Sequence, residues 1–255
     1  MKAPSFAYAK PRSLDEAFAL IERPGAKILA GGQSLVPTLN MRLSAPELLV
    51  DITGLPGLSE IVVDKGIVRI GALVTHARLE KDKHLPLLAE AAKHVAHPAI
   101  RNRGTLGGSL ALADPAAEYP ACAVALQATI IVKGKKGERR VPAEQFFKGL
   151  FETDLKPGEI LTGAEFPAGG RSAFLELTRR QGDYAIVGLA AHEDRFAFFN
   201  IGPKPVLLRG KSLNETKTAL ARVEPIADLY HSSKAKLHLA GVLLERAWTT
   251  LSKPH

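Results

Sequence analysis

The sequence predicts an α+β fold. β-like apolar runs bounded by Gly and Pro are mixed with amphipathic helical segments, and no regular βαβ rhythm links them. The texture also changes after Ala168–Gly170, where closely spaced strands give way to two helices. A boundary near Pro167–Arg171 follows.

Taken in order, Ser13 is an N-cap with Glu16 placed as in a capping box, and Leu14, Ala17, Phe18 and Ile21 keep helical spacing until Pro24-Gly25. AKILAGG begins as a short buried strand, and ELLVDIT (47–53) is another. The stretch from Leu58 reads as strand, turn at Asp64-Lys65-Gly66, strand, then a helix starting near Thr75. LPLLAEAAKHVA is helical and stops at His97-Pro98. Asp114-Pro115 has the form of a helix start, which would put Asp114 and Glu118 on one face. The run from Ala123 through Phe146 reads as strand, turn, strand, and EILTGAEFP as one more strand. Beyond the Ala168–Gly170 hinge, 173–194 and 196–210 read as antiparallel strands, and 213–223 and 232–252 as covering helices. In the last helix Leu237, Val242, Leu244 and Trp248 fall on one stripe.

With 255 residues, 46% of them hydrophobic, the chain can bury a sizeable core. No apolar stretch is long enough to span a bilayer, and the N-terminus lacks the apolar region of a signal peptide. Cys122, the one cysteine, reads as a small core residue, and the absence of a disulfide framework fits a reducing, cytoplasmic setting. The net charge is +8, but the basic residues are scattered. Their densest cluster, VKGKKGERRV (132–141), reads as a solvated hairpin tip, so nucleic acid is not the expected partner.

Two glycine turns carry the chemistry: ILAGGQSL (28–35) and GTLGGSL (104–110). Paired glycines after an apolar run can leave backbone N–H groups converging on one spot, with no Cβ to block approach. The hydroxyls of Ser34, Thr105 and Ser109 can add donors. Neither turn matches a Rossmann fingerprint or a Walker loop, and no lysine follows to meet a γ-phosphate. A diphosphate held from two sides is the reading, with Arg101 and Arg103 adding positive charge. Asp114 is either a cap or a carboxylate for sugar hydroxyls.

AGGQS (30–34), HPAIRNRGTLGGSLALADPAAE (97–118) and RRQGDYAIVG (179–188) resemble the FAD-binding medium subunits of the molybdenum hydroxylases, the xanthine dehydrogenase and carbon monoxide dehydrogenase type. The resemblance implies a vanillyl-alcohol-oxidase (PCMH)-type FAD-binding domain over 1–168, with subdomains of about 1–54 and 55–168. A C-terminal domain of small antiparallel sheet and helices over 169–255 would follow. FAD would lie between the subdomains. Leu29, Ala30, Gly31, Gly32, Gln33, Ser34 and Leu35 would form one wall. Ile100, Gly104, Thr105, Leu106, Gly107, Gly108 and Ser109 would form the other. Thr75 and His76 would approach the cofactor, Asp114 would reach its hydroxyls and Tyr184 would lie near the isoalloxazine ring. Ser109 stands where the family often has Asn, and Gln33 where some members have His.

The resemblance further implies an electron-transfer role with no catalytic side chain required. Electrons would come from a 2Fe–2S cluster in a small partner subunit. A large molybdopterin subunit would oxidise the organic substrate, and reduced flavin would serve an external acceptor. The assembly implied is a dimer of heterotrimers. Two rivals remain open at this point. One is a stand-alone FAD-dependent oxidoreductase acting on a small substrate, with Tyr184, His76 or Glu118 as proton donor or base. The other is an assembly module without flavin.

Overall fold

The structure is a computed structural model that describes residues 2–253. In chain order it comprises β1 (Ala7–Ala9), α1 (Leu14–Ile21), β2 (Ala26–Leu29), α2 (Leu35–Asn40), β3 (Leu48–Asp51), β4 (Ile61–Asp64) and β5 (Ile67–Gly71). Then come α3 (His76–Leu79), α4 (Pro86–His94), α5 (Pro98–Arg101), α6 (Leu106–Leu112), α7 (Glu118–Ala125), β6 (Thr129–Gly134), β7 (Gly137–Pro142), α8 (Ala143–Phe146), β8 (Phe147–Gly149), β9 (Glu152–Thr153) and β10 (Ile160–Pro167). The chain closes with β11 (Ser172–Leu177), β12 (Val187–His192), β13 (Arg195–Phe199), β14 (Val206–Arg209), α9 (Leu213–Leu220) and α10 (Ser233–Leu251).

Three main sheets organise these elements. The first is a parallel sheet in the order β1-β3-β2. Its strands are read locally from ELLVDIT and AKIL, and α1 packs over it through Ala17 and Phe18. Ser13 caps α1 by accepting from Glu16 N. Glu16 Oε2 in turn accepts from Arg12 N, one residue before the cap that a capping box would use. The second sheet, β4-β5-β10-β6-β7, is antiparallel throughout. The third, β11-β12-β13-β14, is also antiparallel and carries α9 and α10.

α7 joins the second and third sheets. It packs on β12 and β13, and its core runs from Val68 and Ile130 to Phe174 and Phe199. Buried Arg195 reinforces the junction by donating to the carbonyl oxygens of Ala125 (3.0 Å) and Val124 (2.8 Å), at the C-terminal end of α7.

Three local expectations are corrected. The stretch from Ala123 begins as the end of a helix, not as a strand. Every α7 residue after Glu118 is buried, so an all-round apolar helix shows no amphipathic period. Asp114-Pro115 starts no helix. Ala113 takes a left-handed conformation (φ 52°) and ends α6, Asp114 Oδ1 accepts from Ala116 N in a turn, and α7 begins at Glu118. On α10 the buried line is Lys236, Ala240, Leu243, Leu244, Ala247 and Leu251, while Leu237 and Trp248 pack at its edge.

Candidate cofactor site

The second glycine turn is fastened to the strand-exit segment after β5. Thr75 and Thr105 form an antiparallel bridge. His76 N donates to Gly104 O (3.0 Å), Leu106 N to Val74 O (2.9 Å) and Gly107 N to Ala72 O (2.8 Å). Gly104 and Gly107 are small because the chains lie so close. A Cβ on Gly104 would fall 2.6 Å from the His76 ring, and one on Gly107 2.5 Å from Ala72 Cβ. Thr105 caps α6 by accepting from Gly108 N (3.1 Å). Leu106 points inward and is fully buried. Ile100 O anchors the approach by accepting from Gly104 N (2.7 Å).

The first turn meets this platform backbone to backbone. A Cβ on Gly31 would overlap the Arg103 carbonyl oxygen and lie 2.9 Å from Gly104 Cα. Gly32 has φ +73°, a conformation that glycine adopts without the penalty of a side chain. Gln33 Nε2 closes the turn on Gly31 O (2.9 Å), and Ser34 leads into α2 from Leu35. The structure thus brings Leu29–Leu35, Thr75–His76 and Ile100–Ser109 together.

The two turns differ in what their amides do. At the second, Leu106, Gly107, Gly108 and Ser109 all donate within the chain, which corrects the expectation of free amides there. At the first, the N–H groups of Gly31, Gly32, Gln33 and Ser34 have no acceptor among the described residues. Successive free amides beside a left-handed glycine are an anion nest. Gly108 leaves space: a Cβ there would meet only Thr105 Oγ1, at 3.0 Å. Free donors on one side and an open helix start on the other fit the pyrophosphate of a dinucleotide cofactor.

Several predicted roles shift. Arg101 is not a free cation. It pairs with Glu80 (3.0 Å) and donates to the carbonyls of Val95 and Ala96. Arg103 is exposed and in no ion pair among the described residues. His76 is neither surface nor cap; Thr75 is the cap and the ring is buried against Tyr119, with centroids 5.1 Å apart. Burial, with help from Arg101, pushes the His76 imidazole down to about 4, so it is neutral at pH 7. Its Nδ1 and the Tyr119 hydroxyl are buried without partners among the described residues.

Asp114 and Tyr184 come from distant segments that Asn200 ties together, through Asn200 N to Pro115 O and Asn200 Nδ2 to Ala185 O. Tyr184 is 70% exposed. Desolvation, then Asp114 and Glu118, hold its hydroxyl above the usual phenol range. Glu118 was absent from the predicted walls. Desolvation, then the charges of Glu176 and Asp114, push its carboxyl up to about 8. The D-P-A-A-E spacing contained the residue, but Glu176 lies on another sheet and gave no local clue.

The fold is that of an α+β protein with a C-terminal antiparallel sheet domain. The family described as "FAD binding domain in molybdopterin dehydrogenase" matches residues 4–169. The chain belongs to this family, the FAD-binding medium subunits of the molybdenum hydroxylases of carbon monoxide dehydrogenase and xanthine dehydrogenase type.

It is 47% identical over 200 residues to the 6-hydroxypseudooxynicotine dehydrogenase complex subunit alpha of Paenarthrobacter nicotinovorans, covering 75% of this chain and 68% of that one. It is 36% identical over 278 residues to the carbon monoxide dehydrogenase medium chain of Hydrogenophaga pseudoflava, covering 97% of each. Its fold matches a chain of quinoline 2-oxidoreductase from Pseudomonas putida 86 with a TM-score of 0.92 at 38% identity, over 98% of both chains.

Proposed function

We propose that this chain is the flavin-holding electron-transfer subunit of a molybdenum hydroxylase-type complex. In this reading the cofactor pyrophosphate lies between the two glycine turns. The amides of Gly31–Ser34 hold it from one side, and Thr105, Gly108 and Ser109 border it from the other. Bound FAD supplies a centre that accepts and passes on single electrons or pairs. The chain's own residues bind and orient it. Asp114 and Glu118 offer a carboxylate and a neutral carboxyl for hydroxyl or ring hydrogen bonds. Thr75, neutral His76, Leu29, Leu35 and Ile100 limit water, and exposed Tyr184 borders the ring.

The observation that carries this reading is the contact of Gly31 with Arg103–Gly104, which joins four amides without acceptors among the described residues to the turn that holds Gly108. The relatives' names, a dehydrogenase-complex subunit and a medium chain, support partner subunits. We place a 2Fe–2S cluster in a small partner and the molybdopterin cofactor in a large one, in a dimer of heterotrimers serving an external acceptor in the cytoplasm. No helix among the described residues is long and apolar enough to cross a membrane. The 70% exposure of Tyr184 favours a face that a partner covers over a stand-alone enzyme with a walled substrate pocket.

The test is the visible spectrum of the purified chain, with chromatography of the cofactor released by acid. Flavin bands and released FAD are the expected result. A colourless chain that takes up no added FAD contradicts the reading.

A further inference from the structure

We propose that the Asp228–Lys236 pair positions Tyr184 at the flavin. The proposal rests on the flavin reading above and gives a role to two residues of the C-terminal domain that the glycine-turn cradle does not use.

Tyr184 does not hold itself. It lies outside the regular elements, between β11 and β12, and its hydroxyl makes no hydrogen bond among the described residues. With the ring exposed, its place is set through its backbone neighbours, Asp183 and Ala185. The loop that carries it abuts the approach to the second glycine turn. A Cβ on Gly182 would fall 2.8 Å from Ala96 O.

One ion pair holds both neighbours. Lys236 on α10 buries its side chain, which is only 3% exposed. Its ammonium donates to Asp228 Oδ2 (2.9 Å) and to Asn200 O (3.0 Å). Asn200 takes a left-handed conformation (φ 57°), which asparagine tolerates better than most residues. Its Nδ2 donates to Ala185 O and, at 3.3 Å, to Ile186 O. Its N–H donates to Pro115 O (2.8 Å), so the Asp114 turn hangs on the same residue. This is the inner arm.

The outer arm starts at the same carboxylate. Asp228 Oδ1 accepts from Tyr230 N (2.8 Å) and His231 N (2.9 Å), which fixes the loop that presents the Tyr230 ring. The Arg179 guanidinium lies over that ring, 4.8 Å from its centroid. Arg179 pairs with Asp183 (3.3 Å), and Asp183 Oδ1 accepts from Tyr184 N (3.1 Å). The bond from Lys236, opposed by slight desolvation and aided by the two backbone N–H groups, holds the Asp228 carboxyl well below the ordinary carboxylate range. An apolar side chain at 236 would avoid the cost of burying a charge, but it could not grip the Asn200 carbonyl and the Asp228 carboxylate together.

The test uses the full chain loaded with FAD and reads flavin fluorescence, which a neighbouring tyrosine quenches. Tyr184→Phe should raise the emission and so mark the contribution of the tyrosine. Lys236→Met should raise it about two-fold or more with FAD content unchanged, because a freed ring spends about half of its time or less at the flavin. Arg179→Gln, on the surface, should raise it by less. In a Tyr184→Phe background Lys236→Met should add nothing. A merely structural loosening would raise emission in both backgrounds, and that result overturns the proposal. Unchanged emission in FAD-loaded Lys236→Met overturns it too, as does unchanged emission in Arg179→Gln where Lys236→Met fails to fold. Unchanged emission in Tyr184→Phe overturns the placement of the ring and the proposal with it, and leaves flavin binding standing. An unaltered chain that takes up no FAD overturns the flavin reading as well.

Discussion

The two glycine turns are close in sequence and opposite in physical role. At 104–108 every backbone donor but Thr105 N–H is spent on the chain itself among the described residues, and Gly104 and Gly107 serve close packing against His76 and Ala72. At 31–34 the donors have no acceptor among the described residues, and Gly32 is left-handed. One turn is a platform and the other a receptor. A Gly-Gly pair therefore specifies space for the backbone, and only its hydrogen-bond surroundings decide whether that space is used for packing or for a ligand.

Substitutions can separate these roles. The largest effect is expected at Gly31, where the two turns touch. Gly31→Ala puts a methyl into the Arg103 carbonyl, so the turns must part. Overpacking of this kind costs about 1–3 kcal/mol or more, and a large fall in the thermal unfolding midpoint, together with loss of flavin, should follow. An unchanged midpoint would mean that the turns can slide apart freely.

Gly32→Ala should be milder. Its positive φ costs an alanine about 1–2 kcal/mol, measurable by urea unfolding, and FAD should bind more weakly as the nest opens. Thr105→Val removes only the cap oxygen of the platform, worth about 1 kcal/mol, and Thr105→Ser should recover most of it. Equal stability of the two variants would show that Gly108 N finds another acceptor.

The expected effects on pH dependence have opposite signs. The Glu118 carboxyl titrates near about 8 when folded, against an ordinary 4.5, so the folded chain holds more protons across that window. Its contribution to stability is complete below 4.5 and is lost as pH rises through about 8, and Glu118→Gln should flatten that limb. His76 does the reverse. It is neutral when folded down to about 4, against an ordinary 6.5, so stability should be lost as pH falls between those values. Denaturant midpoints at a series of pH values check both, and a Glu118→Gln curve parallel to that of the unaltered chain would contradict the burial argument.

Much of this was legible in the sequence because it was written locally. Ser13 and the Asp64-Lys65-Gly66 turn each act within a few residues of themselves. What stayed hidden needs partners far along the chain. α7 is apolar on every side because both the second and third sheets cover it, so its period vanished. The amides of Gly107 and Leu106 looked free until Ala72 and Val74 were seen to accept from them. Glu118 was already a candidate acid in the sequence, but its raised carboxyl needs the charge of Glu176 far along the chain, and Arg101 is taken up by Glu80.

The most direct measurement is the amount of FAD released by acid per chain from Gly108→Val beside the unaltered protein, with thermal unfolding of both. Among described atoms a Cβ at Gly108 meets only Thr105 Oγ1, so the fold should tolerate valine while the added methyls fill the ligand's space. The account predicts a cooperatively folded variant with flavin lost. A folded variant that retains full FAD would contradict the placement of the pyrophosphate between the two turns.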